Sequence, residues 1–93
     1  MKLVAWDPDK NLRLKLERGV SFEEVLFHIE ASDLLDVVDH PNPDRYPGQK
    51  IYVVLIDGYI YLVAFVEAGG EIFLKTIIPS RKATRLFRGV HDE

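Results

Sequence analysis

The chain has no cysteine. A disulfide framework, a thiolate metal site and a thiol nucleophile are therefore excluded. Long apolar runs are missing too: no segment approaches the roughly 18 uninterrupted apolar residues of a membrane span. The amino terminus, MKLVAWDPDK, lacks the apolar stretch of a signal peptide. These absences lead to the expectation of a cytoplasmic protein that makes no membrane contact. Cations are outnumbered, 12 Lys and Arg against 15 Asp and Glu, for a formal net charge of −3. That balance disfavours a polyanionic partner, because nucleic-acid binding draws on neutralised phosphates. Histidines are few, and His28, His40 and His91 include no pair at a ligand spacing such as i, i+4. No metal site and no other cofactor is expected. A glycine-rich phosphate loop is also lacking, since Gly69-Gly70 joins two strand-like segments and opens no helix.

What is present is ordinary for a small globular domain. Of 93 residues 47% are hydrophobic and 29% charged, enough for one core and one domain over 1–93. The charge is segregated, however. Between Phe22 and Asp44 stand Glu23, Glu24, Glu30, Asp33, Asp36, Asp39 and Asp44 with no Lys or Arg. Between Lys75 and His91 stand Lys75, Arg81, Lys82, Arg85 and Arg88 with no acid. A smaller basic group, Lys10, Arg13, Lys15 and Arg18, is mixed with Asp7, Asp9 and Glu17.

Local patterns predict an α+β fold: a small antiparallel sheet of three to five strands, two amino-terminal helices and a short carboxyl-terminal helix. Residues 2–6, KLVAW, form a first strand. Asp7-Pro8 supplies an N-cap and a proline at the first helical position, predicting a helix from Pro8 to Arg18 stopped by Gly19. Leu12, Leu14 and Leu16 alternate at period two and argue the other way; the cap and the stop decide for helix. Ser21 and Glu24 form a capping box, and Phe22, Val25, Leu26 and Ile29 recur at helical spacing, so a second helix runs from Phe22 to about Ala31. Glu23 and Glu24 then complement the helix dipole. Residues 34–40 read as an edge strand and 40–49, with three prolines, as a loop.

Asp57-Gly58 between two β-rich runs is a type I′ hairpin signature that pairs Ile56 with Tyr59, Val54 with Tyr61 and Tyr52 with Val63. One face carries those six residues. The other is purely aliphatic, Ile51, Val53, Leu55, Ile60, Leu62 and Ala64, and is expected to be the core. A third strand, Glu71–Ile78, can follow through a two-residue or a three-residue loop. Burying an unpaired ammonium costs several kcal/mol, so the three-residue loop, which puts Lys75 beside Tyr61 and Val63, is the expected register. Pro79 stops that strand, and Ser80 caps a helix from Arg81 to Arg88 closed by Gly89. Arg81, Arg85 and Arg88 share one helical face, with Leu86 and Phe87 turned towards the sheet.

Cations that hold a phosphate beside a group able to move a proton suffice to cleave RNA through its own 2′-hydroxyl. The candidate catalytic residues are Lys75, Arg81, Arg85 and Tyr61. Lys82, Arg88, Tyr52 and Tyr59 would bind the RNA, tyrosine faces stacking on unpaired bases. The competing reading is a non-catalytic module that binds protein or nucleic acid through the basic helix and the tyrosine-bearing sheet face.

In order along the chain, WDPDKN (6–11), GVSFEEV (19–25) and IIPSRKATRLF (77–87) resemble the BrnT family of type II toxins, which have a RelE-like fold. The resemblance implies a metal-independent endoribonuclease that inhibits translation, acting on RNA either free or on the ribosome. It further implies neutralisation by a small DNA-binding antitoxin of ribbon-helix-helix type, through which alone the complex reaches operator DNA. Matched by position, the family's amino-terminal basic helix falls on Lys10 and Lys15, and its strand-to-helix motif on Arg81, Lys82 and Arg85. The chain departs from the family in two places. It has Glu17-Arg18 where Lys-His is common, and Lys75 where the last strand commonly offers an arginine.

Overall fold

A computed structural model of the protein describes residues 2–91, excluding the His91 side chain. The element order is β1 (Leu3–Trp6), α1 (Pro8–Arg18), α2 (Phe22–Glu30), β2 (Leu34–Asp39), β3 (Gln49–Ile56), β4 (Tyr59–Ala68), β5 (Glu71–Pro79) and α3 (Arg81–His91). The five strands make one sheet in the order β1-β5-β4-β3-β2. Neighbours are antiparallel except β1, which lies parallel to β5 from Leu3–Glu71 to Trp6–Leu74. The fold is α+β as expected, with a mixed sheet rather than a purely antiparallel one.

The helix signals act as the sequence predicts. Asp7 accepts from the Asp9 N–H, Pro8 opens α1, and Gly19 ends it in the left-handed region at φ 68°. Ser21 accepts the Glu24 N–H at 3.1 Å and caps α2. Asn11 joins the two helices: its Oδ1 accepts from the Phe22 N–H at 2.8 Å, and its Nδ2 donates to Glu23 at 2.6 Å. Of the alternating leucines in α1 only Leu14 is buried, while Leu12 and Leu16 face solvent. α3 runs through Gly89 to His91 instead of closing there.

The core lies on the opposite sheet face from the one expected. Leu14, Val20, Phe22 and Val25 from the helices and their junction pack onto Val54, Ile56, Val63, Phe65, Leu74 and Ile77. This is the face shared with the tyrosines; Tyr52 and Tyr61 pack at its margin, and Trp6 stacks on Phe22 at 5.7 Å. On the aliphatic face Ile60 and Ala64 are buried, but Ile51, Val53, Leu55 and Leu62 are only half-buried. The helices set the face: β-branched Val54, Val63 and Ile77 leave room at the centre for the cover that α1 and α2 provide, and the buried Phe65 ring is covered by Tyr52.

The register of β5 is also corrected. Ala68 pairs with Glu71 across a two-residue Gly69-Gly70 turn, both glycines at positive φ (60° and 79°) as a type I′ turn requires. Asp57-Gly58 has the same geometry at φ 52° and 79°. In β5, Leu74 pairs with Phe65 and Thr76 with Ala64, so Lys75 is the unpaired extra residue of a β-bulge. The bulge lets Leu74 and Ile77 both reach the core three residues apart. Lys75 is exposed on the far face, its Nζ 5.3 Å from the Phe73 ring centroid, and does not stand beside Tyr61. The cost of burying an ammonium is avoided because that face is the outer one.

Candidate nucleic-acid interface

The carboxyl-terminal cations sit where β5 turns into α3. Tyr61 pairs with Pro79, and the ladder continues one step as the Ser80 N–H donates to the Ile60 carbonyl at 2.9 Å. Ser80 Oγ then accepts from the Ala83 N–H at 3.1 Å. Thr84, buried, accepts from the Ile60 N–H at 2.9 Å and gives its own proton to the Ser80 carbonyl at 2.7 Å. These bonds pin the first turn of α3 to the start of β4. The face turned inward holds Thr84, with Ala83 and Phe87 half-buried. Leu86, expected to face the sheet, is 63% exposed, and Val90 is 73% exposed. Thr84 takes the inward place because its hydroxyl satisfies two backbone groups at the sheet corner.

Arg81, Lys82 and Arg85 are exposed, and none of their side chains makes an ion pair or hydrogen bond with another described residue. Arg88, on the same stripe, donates to the Gly58 carbonyl at 3.3 Å and ties the helix to the β3–β4 turn. Cations without carboxylate partners among the described residues retain their capacity for an anion there.

Of the tyrosines expected at the site, two are brought together. Tyr59 and Tyr61 have ring centroids 5.7 Å apart, and the strand register sets Tyr61 two residues from Arg81. The Tyr61 phenol is held above its usual range, first by burial and then by Tyr59, Glu24 and Asp57. It is a neutral proton donor at physiological pH. Tyr52 is elsewhere, stacked on Phe65 with centroids 3.8 Å apart and planes within 7°. Burial raises its phenol too, followed by the charge of Glu67. It lines an apolar groove of about 290 Å³ between β1, β5 and α2, with Val4, Leu26, Ile29 and Ile72.

The amino-terminal cations divide differently. Lys10 is half-buried, and Lys15 is 4.0 Å from Glu23, whose carboxyl is held below its usual range first by the Asn11 hydrogen bond. Arg18, which the sequence reading did not select, donates a guanidinium hydrogen bond to the Ile77 carbonyl. Because Ser80 bonds Ile60, alternation along the ladder turns the Ile77 carbonyl away from β4. β1 ends opposite Leu74, so that edge of β5 is open there. Arg18 fills the gap and carries a positive charge to within two residues of the Tyr61–Pro79 pair.

Among the described residues no three His, Asp or Glu side chains gather in a metal-holding group, and no helix is long and apolar enough to cross a membrane. His28 Nδ1 lies 2.8 Å from Asp33, closing the end of α2. The local arrangement is thus a basic helix whose Arg81, Lys82 and Arg85 side chains have no ion-pair partner among the described residues, a tyrosine pair on the strand that meets Pro79 two residues before Arg81, and Arg18 at the adjoining strand edge; Lys75 and Tyr52 lie apart from it. No family model matches the chain, and no curated protein or solved structure matches it either.

Proposed function

We propose that this chain is an RNA-cleaving toxin of a type II toxin–antitoxin system, working in the cytoplasm and silenced by a small cognate antitoxin. The observation that carries the reading is the row Arg81, Lys82 and Arg85, without an ion-pair partner among the described residues, on the helix that follows the Tyr61–Pro79 strand pair. The ordered BrnT-like motifs and the α+β fold support it. In this reading Arg81 and Arg85 grip the scissile phosphate, and Lys82 tracks the backbone. The RNA 2′-hydroxyl gives its proton to a solvent water, which afterwards restores Tyr61, as its oxygen attacks phosphorus and the bond from phosphorus to the 5′-oxygen breaks; the guanidinium groups stabilise the charge that grows on the phosphoryl oxygens. Tyr61, kept protonated, donates to the departing 5′-oxygen. The products are a 2′,3′-cyclic phosphate and a 5′-hydroxyl. Arg18 takes the charge-stabilising part expected of Lys75 in the catalytic set.

The test is incubation of purified protein with end-labelled RNA in chelator. Cleavage to those two ends is expected, and Arg81→Ala with Arg85→Ala should lower the rate on the order of a hundredfold. Folded protein that leaves RNA intact and does not slow translation in cells rejects the reading. The displacement of Lys75 from Tyr61 favours the second reading, a non-catalytic binder using the same helix. That reading is marked by salt-dependent association with RNA or an acidic protein segment and no product.

A further inference from the structure

The acid-rich half of the chain supplies β2, the last strand of the sheet, and β2 is uncovered from Leu35 to Asp39. Leu35, Val37 and Val38 remain 42%, 45% and 39% exposed. The His40 N–H donates to the Gln49 carbonyl at 3.2 Å, and Val37 pairs with Tyr52 and Asp39 with Lys50 across β3. By antiparallel alternation the amides of Val37 and Asp39 then point outward to the free edge. Among the described residues the Val37 N–H is capped by the carboxylate of its own neighbour, Asp36 Oδ1, at 2.8 Å. An edge with free amides and apolar side chains is a template for another strand.

From this edge we infer that β2 receives an extended, basic segment of a partner protein, added as a sixth strand. Charge selects that occupant. The seam offers Asp36 and Asp39, residues 22–44 contain no Lys or Arg, and Lys50 stands one strand further in, opposite Asp39. A second copy of this chain paired through β2 would bring a second Asp36 and Asp39 into the same seam with no cation from either strand, a destabilising arrangement. Asp36 and Asp39 lie on opposite sheet faces, so an incoming strand with Lys or Arg three positions apart and apolar residues between meets both carboxylates, and its carbonyl replaces the Asp36 cap on the Val37 N–H. Leu35 and Val38 then gain cover from its apolar side chains. This surface is separate from the α3 cations and stands whether or not the chain cuts RNA.

The probe is a short acetylated valine-rich peptide with lysines three positions apart, one for each sheet face, titrated into the isotope-labelled full chain and followed by NMR amide exchange. Exchange at Val37 and Asp39 is expected to slow at least about tenfold at saturation, with affinity falling as salt rises. The matching glutamate–valine peptide should leave both amides unchanged. Val37→Pro removes an outward donor without touching the β3 ladder and should weaken binding about tenfold or more. Asp36→Asn with Asp39→Asn should weaken it similarly with the backbone intact, which keeps the test decisive if the proline variant unfolds. Unchanged exchange at saturating peptide, equal response to the acidic peptide, or no weakening in the asparagine variant overturns the assignment. So does concentration-dependent protection of these amides in the chain alone, which places a second copy on the edge.

Discussion

The two faces of β4 carry residues of similar hydropathy and have opposite fates. Val63 is fully buried under α1 and α2, whereas its neighbour Leu62 is only half-buried on the far side. The face with the more uniform aliphatic composition is the less covered one. Apolar content fixes how much surface a strand must hide, but the helices decide which side is hidden, and they need side chains small enough to lie over. Tyrosines at the margin serve that end: Tyr52 covers Phe65, and Tyr61 closes the core near α2 while keeping a protonated phenol.

Substitution can break this contrast at adjacent residues. Val63→Asp places an unpaired carboxylate in the core and is expected to cost at least about 4 kcal/mol, a large part of the stability of a small domain. Leu62→Asp should cost only about 1 to 2 kcal/mol, since the carboxylate reaches water. Urea titration of the two variants reads the difference, and equal losses would mean the faces are equally covered.

Next in size is the joint that holds the helices over the buried face. Asn11→Ala strands the buried Phe22 N–H and removes the Glu23 contact, for an expected loss of about 2 kcal/mol. The variant also changes the acid limb. Glu23 has a lowered folded pKa, so its contribution is present above the ordinary carboxylate range and disappears as pH falls through the folded value. Without Asn11 that portion of the acid destabilisation should shrink, visible as a flatter stability profile below about pH 4.5.

The smallest effect is expected on the outer face. Lys75→Met removes an exposed cation that lies over the Phe73 ring, and stability should change by less than about 0.5 kcal/mol. RNA cleavage, where measured, should be retained within about twofold. A loss comparable to that of the α3 arginine variants would return Lys75 to the site and count against the geometry described above.

Much of the local structure was legible because it is governed by short-range chemistry. Asp7-Pro8, Ser21 with Glu24, Gly19 and Asp57-Gly58 each satisfy backbone groups or dihedral demands within a few residues, and each does so where it was expected. The cations of α3 could likewise be located from their spacing. Arg18 could not be recognised as a neighbour of β5, because its partner is a carbonyl 59 positions away that is open only where β1 stops. Lys75 was misplaced for a related reason. An ammonium shuns the core wherever the core is, and identifying the outer face requires knowing where the helices lie.

The amino-acid order alone determined the helices, the Asp57-Gly58 hairpin, the separation of acids from bases and the absence of thiol chemistry, since all of these are properties of residue type and near-neighbour spacing. The tertiary structure decided which sheet face is core, the bulge at Lys75, the parallel seat of β1 and the open edge of β2. Those depend on how α1 and α2 share one limited apolar surface with five strands, a competition between distant segments that no local pattern encodes.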